Sequence, residues 1–335
     1  MATTSGTVGQ TQLRVVDLVE KAIRRCGKQP STISGEVLLS ARLSLFLLLT
    51  TLANRGLSLW CIDKHVLGVV PFAQYYTLPD GTVDVLTCLY RTFTALDGQA
   101  VSGSGYSGYD FGAPVLVDTV KVQPTAAAVF NLVVESSEDG LAWTVRKTLP
   151  ANSAVAAGGW LCADVALSTE AQYWRVRDTS GTLPGLTSLV FANDTYEVPM
   201  SKINRDDFLN LPNKTFAVSG GSKSLQFWFD KQIEPRIWCW PTSNAETDQI
   251  VVWTQRQIQD VTTYTELVDV PQRWLESVLF MLASRIALEL PSEELPQGRI
   301  EYLDAKAAEY LLLAEDGEND GAPTRITPNI RGYTA

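Results

Sequence analysis

Helical periodicity is confined to the two ends of this chain, and nothing else in the sequence restricts the fold as much. Leu13, Val16, Val19 and Ile23 recur at helical spacing, and Gly27 stands where a C-terminal cap belongs. Ser34 with Glu36 opens a second helix that runs to about Asn54 and closes at Gly56. At the far end, Pro271 opens a helix with Leu275, Val278, Leu279, Leu282 and Ile286 on one face. A last helix starts near Pro296 and carries Ile300, Leu303, Ala307, Tyr310, Leu311 and Ala314. Each apolar stripe has to be buried against another element. The pattern therefore predicts an α+β fold, with a helical bundle formed by N- and C-terminal helices packed on short strands and an all-β jelly-roll or sandwich domain inserted between them.

The middle of the chain reads as strands. Pro79-Asp80-Gly81 is a turn between runs at 75–78 and 83–89. Residues 98–112 (GQAVSGSGYSGYDFG) are rich in Gly, Ser and Tyr and read as a linker. Short strands are expected at 115–122, 129–135, 142–148, 160–165 and 173–177, with a hairpin turn at Asp139-Gly140 and with Trp143, Trp160 and Trp174 in the core. Further strands are expected at 227–229, 236–240 and 249–256. The domains expected are a discontinuous core of 1–97 and 196–316, a linker at 98–112, an inserted β-sandwich at 113–195 and an extended tail at 317–335. The tail holds two prolines and no period, yet keeps Ile326, Ile330 and Tyr333 among few charges.

Charge and chemistry narrow the function. Lys and Arg number 27 against 37 Asp and Glu, a formal net charge of −10, so the phosphate neutralisation that drives nucleic-acid binding is not expected. Lys21, Arg24, Arg25 and Lys28 read as a solvated helix end. The five cysteines (Cys26, Cys61, Cys88, Cys162 and Cys239) form no CxxC pair and are expected as free thiols without metal. The run LSLFLLLTTL at 43–52 is short of the roughly 20 residues a membrane span needs and reads as a core helix, so no membrane association is expected. No signal-peptide pattern opens the chain.

One histidine, His65, leaves little for nucleophilic or metal chemistry. There is no GxSxG elbow, Walker loop or GxGxxG after a strand, and GSGYSG at 103–108 does not lead into a helix. The adjacent acids Asp206-Asp207 and Glu138-Asp139 do not face each other as a catalytic pair would, and Asp206 and Asp207 follow Asn204 as helix-capping residues do. No catalytic residue, cofactor or metal ligand is expected, and the chain does not read as an enzyme.

Several segments carry a resemblance. Residues 203–214 (INRDDFLNLPNK), Trp228-Phe229-Asp230-Lys231-Gln232, Pro235-Arg236-Ile237-Trp238 and Trp240-Pro241 resemble head-to-tail adaptor proteins of short-tailed phages. Tyr76-Thr77-Leu78-Pro79, Ala314-Glu315-Asp316 and Thr327-Pro328-Asn329-Ile330 fit the same pattern, which spans 1–97 and 196–335. The resemblance implies a structural virion protein made in the host cytoplasm and placed at the head–tail junction. Its copies, usually twelve, would form a ring docked between the portal protein and the tail nozzle or hub, with DNA a non-specific passenger in the channel. The portal contact it suggests is the tail, at Arg325, Ile326, Pro328, Asn329, Ile330, Arg331 and Tyr333. Residues 133–144 and Tyr173-Trp174-Arg175-Val176-Arg177 instead resemble discoidin-like modules, which often bind sugars. The alternative function is thus a carbohydrate-binding or adhesin tail protein acting through the inserted sandwich.

Overall fold

The computed structural model describes residues 12–32, 34–53, 61–165, 169–212, 214, 223–290 and 295–317. The chain divides into two compact units, one formed by Met1–Cys61 with Gln257–Ala335, the other by Ile62–Arg256. Among the described residues it is a mostly β protein with five α-helices and a β-sandwich. The Arg325, Ile326, Pro328, Asn329, Ile330, Arg331 and Tyr333 of the expected portal contact lie outside the described residues, as does the rest of the tail from 318 on.

Among its described residues the first unit holds four α-helices: α1 (Val15–Arg25), α2 (Gly35–Ala53) and, beyond the short α3 (Arg205–Asn210) of the other unit, α4 (Gln272–Glu289) and α5 (Arg299–Asp316). Asp17 in the first turn of α1 and Arg24 and Arg25 in its last oppose the helix dipole in the favourable sense. Gly27 takes φ +92° just beyond it, a conformation that glycine adopts without strain. Leu18 and Ile23 of α1, Leu45 and Leu49 of α2, Val278 and Leu282 of α4 and Leu303 of α5 share one buried core. Each such side chain is worth roughly 1.5–3 kcal/mol on burial. Among the described residues this core contains no strand residue, which corrects the expectation that the helices pack on short strands. α2 is long and apolar enough to cross a membrane by length and composition, with 39% of its span buried. Leu45, Leu48, Leu49 and Leu52 lie in the core, while Leu39, Leu43 and Leu47 on its other face are 55%, 55% and 49% exposed.

The second unit is built on a six-stranded sheet, in the order β1 (Ile62–Gly68), β17 (Gln249–Arg256), β3 (Thr82–Ala95), β13 (Leu186–Pro199), β6 (Thr119–Pro124) and β11 (Leu161–Asp164). A five-stranded sheet of β4 (Gln99–Gly103), β5 (Tyr106–Val115), β12 (Ala171–Asp178), β8 (Leu132–Ser137) and β9 (Thr144–Thr148) packs against part of it. Val120, Val122, Leu189 and Phe191 of the first sheet meet Leu132, Val134, Trp174 and Val176 of the second, which makes a sandwich. A four-stranded sheet of β14 (Ser201–Lys202), β15 (Gln226–Asp230), β16 (Arg236–Trp240) and β2 (Tyr75–Thr77) contributes Phe227, Phe229 and Ile237 to another core with Tyr90, Ile250 and Val252. A minor pair joins β7 (Ala128–Phe130) to β10 (Ser153–Val155).

These sheets revise the expected domains. Residues 98–112 are not a linker: β4 and β5 form a hairpin paired at Ser102↔Ser107 and Gly103↔Tyr106. The glycine at 108 answers a packing demand, because a Cβ there would lie 2.2 Å from the Trp174 carbonyl oxygen on β12. β13 runs unbroken through residues 195 and 196, and its sheet holds strands from both sides of that expected boundary. The divisions therefore fall at 61/62 and 256/257. The unit's first and last strands are paired neighbours, Ile62 opposite Gln255. Of the three tryptophans expected in the core, only Trp174 is buried, at 1% exposure; Trp143 and Trp160 are half-buried and each covers a cation.

Candidate functional site

One face of the six-stranded sheet is apolar and supplies both cores of the β unit; the other carries charge. β6 shows the alternation, with Val120 and Val122 in the sandwich and Thr119, Lys121 and Gln123 on the opposite face, all of them buried. The sheet curls until its edge strands approach, and Lys64 on β1 pairs with Asp164 on β11. Gly68 permits this closure, because a Cβ there would lie 2.4 Å from the Trp160 Cβ.

Arg91 on β3 is the centre of the polar face, its side chain 4% exposed. Its Nε donates to Glu197 Oε1 at 2.9 Å, Nη2 to Asp164 Oδ2 at 3.3 Å and Nη1 to Gln249 Oε1 at 3.3 Å. Gln249 Nε2 donates in turn to Thr119 Oγ1 at 2.9 Å. Burial raises the Asp164 carboxyl, but hydrogen bonds from Arg91 and Lys64 outweigh it and hold the group below the usual carboxylate range. Burial likewise opposes the charge on Arg91, and Asp164 and Glu197 more than restore it. A carboxylate held ionised between two cations accepts hydrogen bonds and is a poor proton donor.

Lys121 extends this face. Its Nζ donates to the carbonyls of Glu246 at 2.7 Å and Asp248 at 3.1 Å and lies 4.1 Å from the centre of the Trp160 ring. Burial lowers its pKa to about 8 against the pull of Cys162, Asp248 and Glu246. Cys162, the cross-strand partner of Lys121, is pushed up to about 12 by burial. A second ionic group lies on the five-stranded sheet, where Arg175 and Arg177 both donate to Glu135 and the Trp143 ring lies 3.7 Å from the Arg175 guanidinium carbon.

The polar face opens to solvent in a pocket of about 440 Å³. Lys64, Arg91, Asp118, Asp164, Thr195, Tyr196 and Glu197 line it. A register shift between Asn193 and Tyr196, with Asp194 at φ +50°, re-aims this part of β13 towards the opening. The helical unit has its own cavity, about 840 Å³ and largely apolar, lined by Val16, Val19, Leu38, Leu39 and Tyr264 among others.

The residues singled out in the sequence fall elsewhere. Asn204 caps α3, its side chain accepting from Asp207 N at 2.7 Å. Asp139 accepts from the backbone of Leu141 and Ala142, a turn-forming role that lowers its pKa. The pKa of His65 is lowered by burial, with Asp63 opposing. All five cysteines are free thiols, and the described residues contain no metal-binding cluster of His, Cys, Asp and Glu. Sequence reasoning missed the polar face because its members come from six strands far apart in the chain. The one local signal was Thr119, Lys121 and Gln123 alternating with valines, which reads as an ordinary solvent-facing edge.

No known family matches the sequence, and no curated protein does either. Among solved structures, the chain is similar to a CBM62 from Clostridium thermocellum Xyl5A, with 20% identity over 29% of this chain and 72% of that one and a TM-score of 0.23. It is also similar to a chitosan-binding module of a chitosanase/glucanase from Paenibacillus sp. IK-5, with 18% identity over 34% of this chain and all of that one, TM-score 0.22. A third is the CBM32 of AlyQ in complex with 4,5-unsaturated mannuronic acid, with 18% identity over 33% and 96% and a TM-score of 0.20. The sandwich itself rests on the sheet order and core described above.

Proposed function

We propose that the chain is a non-catalytic structural protein, the adaptor that joins portal and tail in a short-tailed phage, with a β unit spliced into its helical unit. The segments that resemble such adaptors carry this reading, and the pairing of Ile62 with Gln255 fits the splice. The chain leaves the helical unit at 61 and returns at 257 through adjacent strands, so a 195-residue β unit, Ile62–Arg256, which itself holds most of the segments that resemble adaptors, is accommodated between helices drawn from both termini. In the proposed ring the outward leucines of α2, Leu39, Leu43 and Leu47, face a neighbouring subunit. Such a stripe would otherwise leave apolar surface in water. The segments that resemble adaptors supply the identity of the partner. Light scattering of the purified chain, alone and mixed with a portal protein of a short-tailed phage, tests the reading. A portal complex carrying a ring of the chain is expected; no association at micromolar concentrations would contradict it.

A second reading is carbohydrate binding by the β unit, and the observation that favours it is the open polar pocket on the sandwich-bearing sheet. It predicts that the chain binds glycans with no portal present.

A further inference from the structure

We infer that the apolar cavity of the helical unit receives the chain's own C-terminal segment, with Ile326 and Ile330 seated against Val16, Val19 and Leu38. The inference concerns the chain free of partners and does not depend on the adaptor reading. At about 840 Å³ the cavity falls in the size range of ligand sites, and α1, the start of α2 and Tyr264 wall it. An apolar concavity left to water forgoes the stabilisation that covering it would supply.

The occupant follows from the sequence and from the place where α5 ends. Residues 325–331 (RITPNIR) alternate polar and apolar side chains without a break. An extended segment of that pattern sets Ile326, Pro328 and Ile330 on one side and Arg325, Thr327, Asn329 and Arg331 on the other. Such a segment has an apolar edge to lay in a cavity and a polar edge to leave in water. The segment before α1 is a poorer candidate, since residues 1–11 (MATTSGTVGQT) hold Val8 as their one branched aliphatic side chain.

The C-terminal segment also starts close enough. Tyr310 of α5 stacks on Phe280 with ring centres 5.1 Å apart, and the Arg25 guanidinium lies 4.8 Å from the centre of the Phe280 ring. Arg24, next to Arg25 on α1, lines the cavity. Gly317 caps α5 seven residues beyond Tyr310, about 10 Å along the helix. The nine residues from Gly317 to Ile326 span up to about 30 Å when extended, which carries Ile326 to the cavity of its own chain.

Photo-cross-linking of the full chain at micromolar concentration, with p-benzoylphenylalanine in place of Ile330, tests the inference. Peptide mapping of the monomer should find the cross-links on residues 16–39. Two variants of the labelled chain should lose them. A Cβ at Gly35 meets no atom within 4 Å, so the indole of Gly35→Trp has room at the cavity wall and obstructs it. Ile326→Asp removes an apolar anchor from the segment and changes no residue of the helical core. The far-ultraviolet circular dichroism of both variants should match the parent's. Cross-links to other parts of the chain, cross-linked dimers in place of monomers, no cross-link at all, or a yield that Ile326→Asp leaves unchanged would each overturn the inference.

Discussion

The two units of this molecule fill their interiors in opposite ways. Among the described residues, the buried polar groups of the helical unit are three serines, Ser44, Ser277 and Ser284. The β unit buries four charged side chains, Arg91, Lys121, Glu135 and Asp178, together with Gln249 and Thr119. An apolar core gains stability from area removed from water and tolerates small changes in shape. A buried ionic group is different, since the intact set contributes little net stability but loss of one member strands the others. The difference teaches where specificity of structure is concentrated. The β unit is pinned by a few irreplaceable partners, the helical unit by many interchangeable ones.

The largest expected effect therefore comes from Arg91→Ala. It leaves the Asp164 and Glu197 carboxylates without their shared cation and should lower the stability of the β unit by about 3–5 kcal/mol. Leu282→Ala in the helical core, fully buried in the parent, should cost about 2–5 kcal/mol through lost burial and a cavity. Differential scanning calorimetry separates the two: each variant should shift one transition and leave the other in place. If both substitutions shift every transition together, the units melt as one and the contrast between them is broken.

A smaller effect sharpens the contrast through pH. The folded-state pKa of Lys121 is about 8, below the ordinary lysine value, so between those values the unfolded chain holds a proton that the folded chain has released. Stability from this group therefore rises with pH across that window, at up to about 1.4 kcal/mol per unit, and the burial penalty is present in full below pH 8. Thiols such as Cys162 and Cys239, raised to about 12, act in the reverse sense above their unfolded values, so the comparison must be made between variants. The stability of Lys121→Met relative to the parent should fall steadily from pH 8 to pH 10 in urea melts. A difference independent of pH would show that Lys121 is not buried as a cation. The smallest effect is expected at Asn204→Ala, where loss of the α3 cap should cost about 1 kcal/mol and speed amide exchange at Asp207.

What the sequence disclosed follows the same division. α1, α2, α4 and α5 each announce themselves by local period and by end signals such as Gly27, and the Asn204 cap was equally local. Most strands of the β unit were also visible one at a time. Their partnership was not, because pairing Ile62 with Gln255 or Arg91 with Gln249 is a property of the sheet, not of any window. Glycine at 103, 105 and 108 looks like linker composition, yet at 108 it is what lets β5 lie against β12. Arg91, Asp164, Glu197 and Lys64 looked like ordinary surface charges because each is isolated in sequence, and only the curl of one sheet brings them together.

Position in a virion tests the proposed function most directly, since an adaptor and a glycan-binding adhesin of the same fold would occupy different places. Electron microscopy of purified virions, with the chain marked by a tag-specific label, reads that position. The account predicts a closed ring of label at the head–tail junction, directly beneath the portal. Label at the tail tip or on lateral fibres, with the junction unmarked, would contradict it.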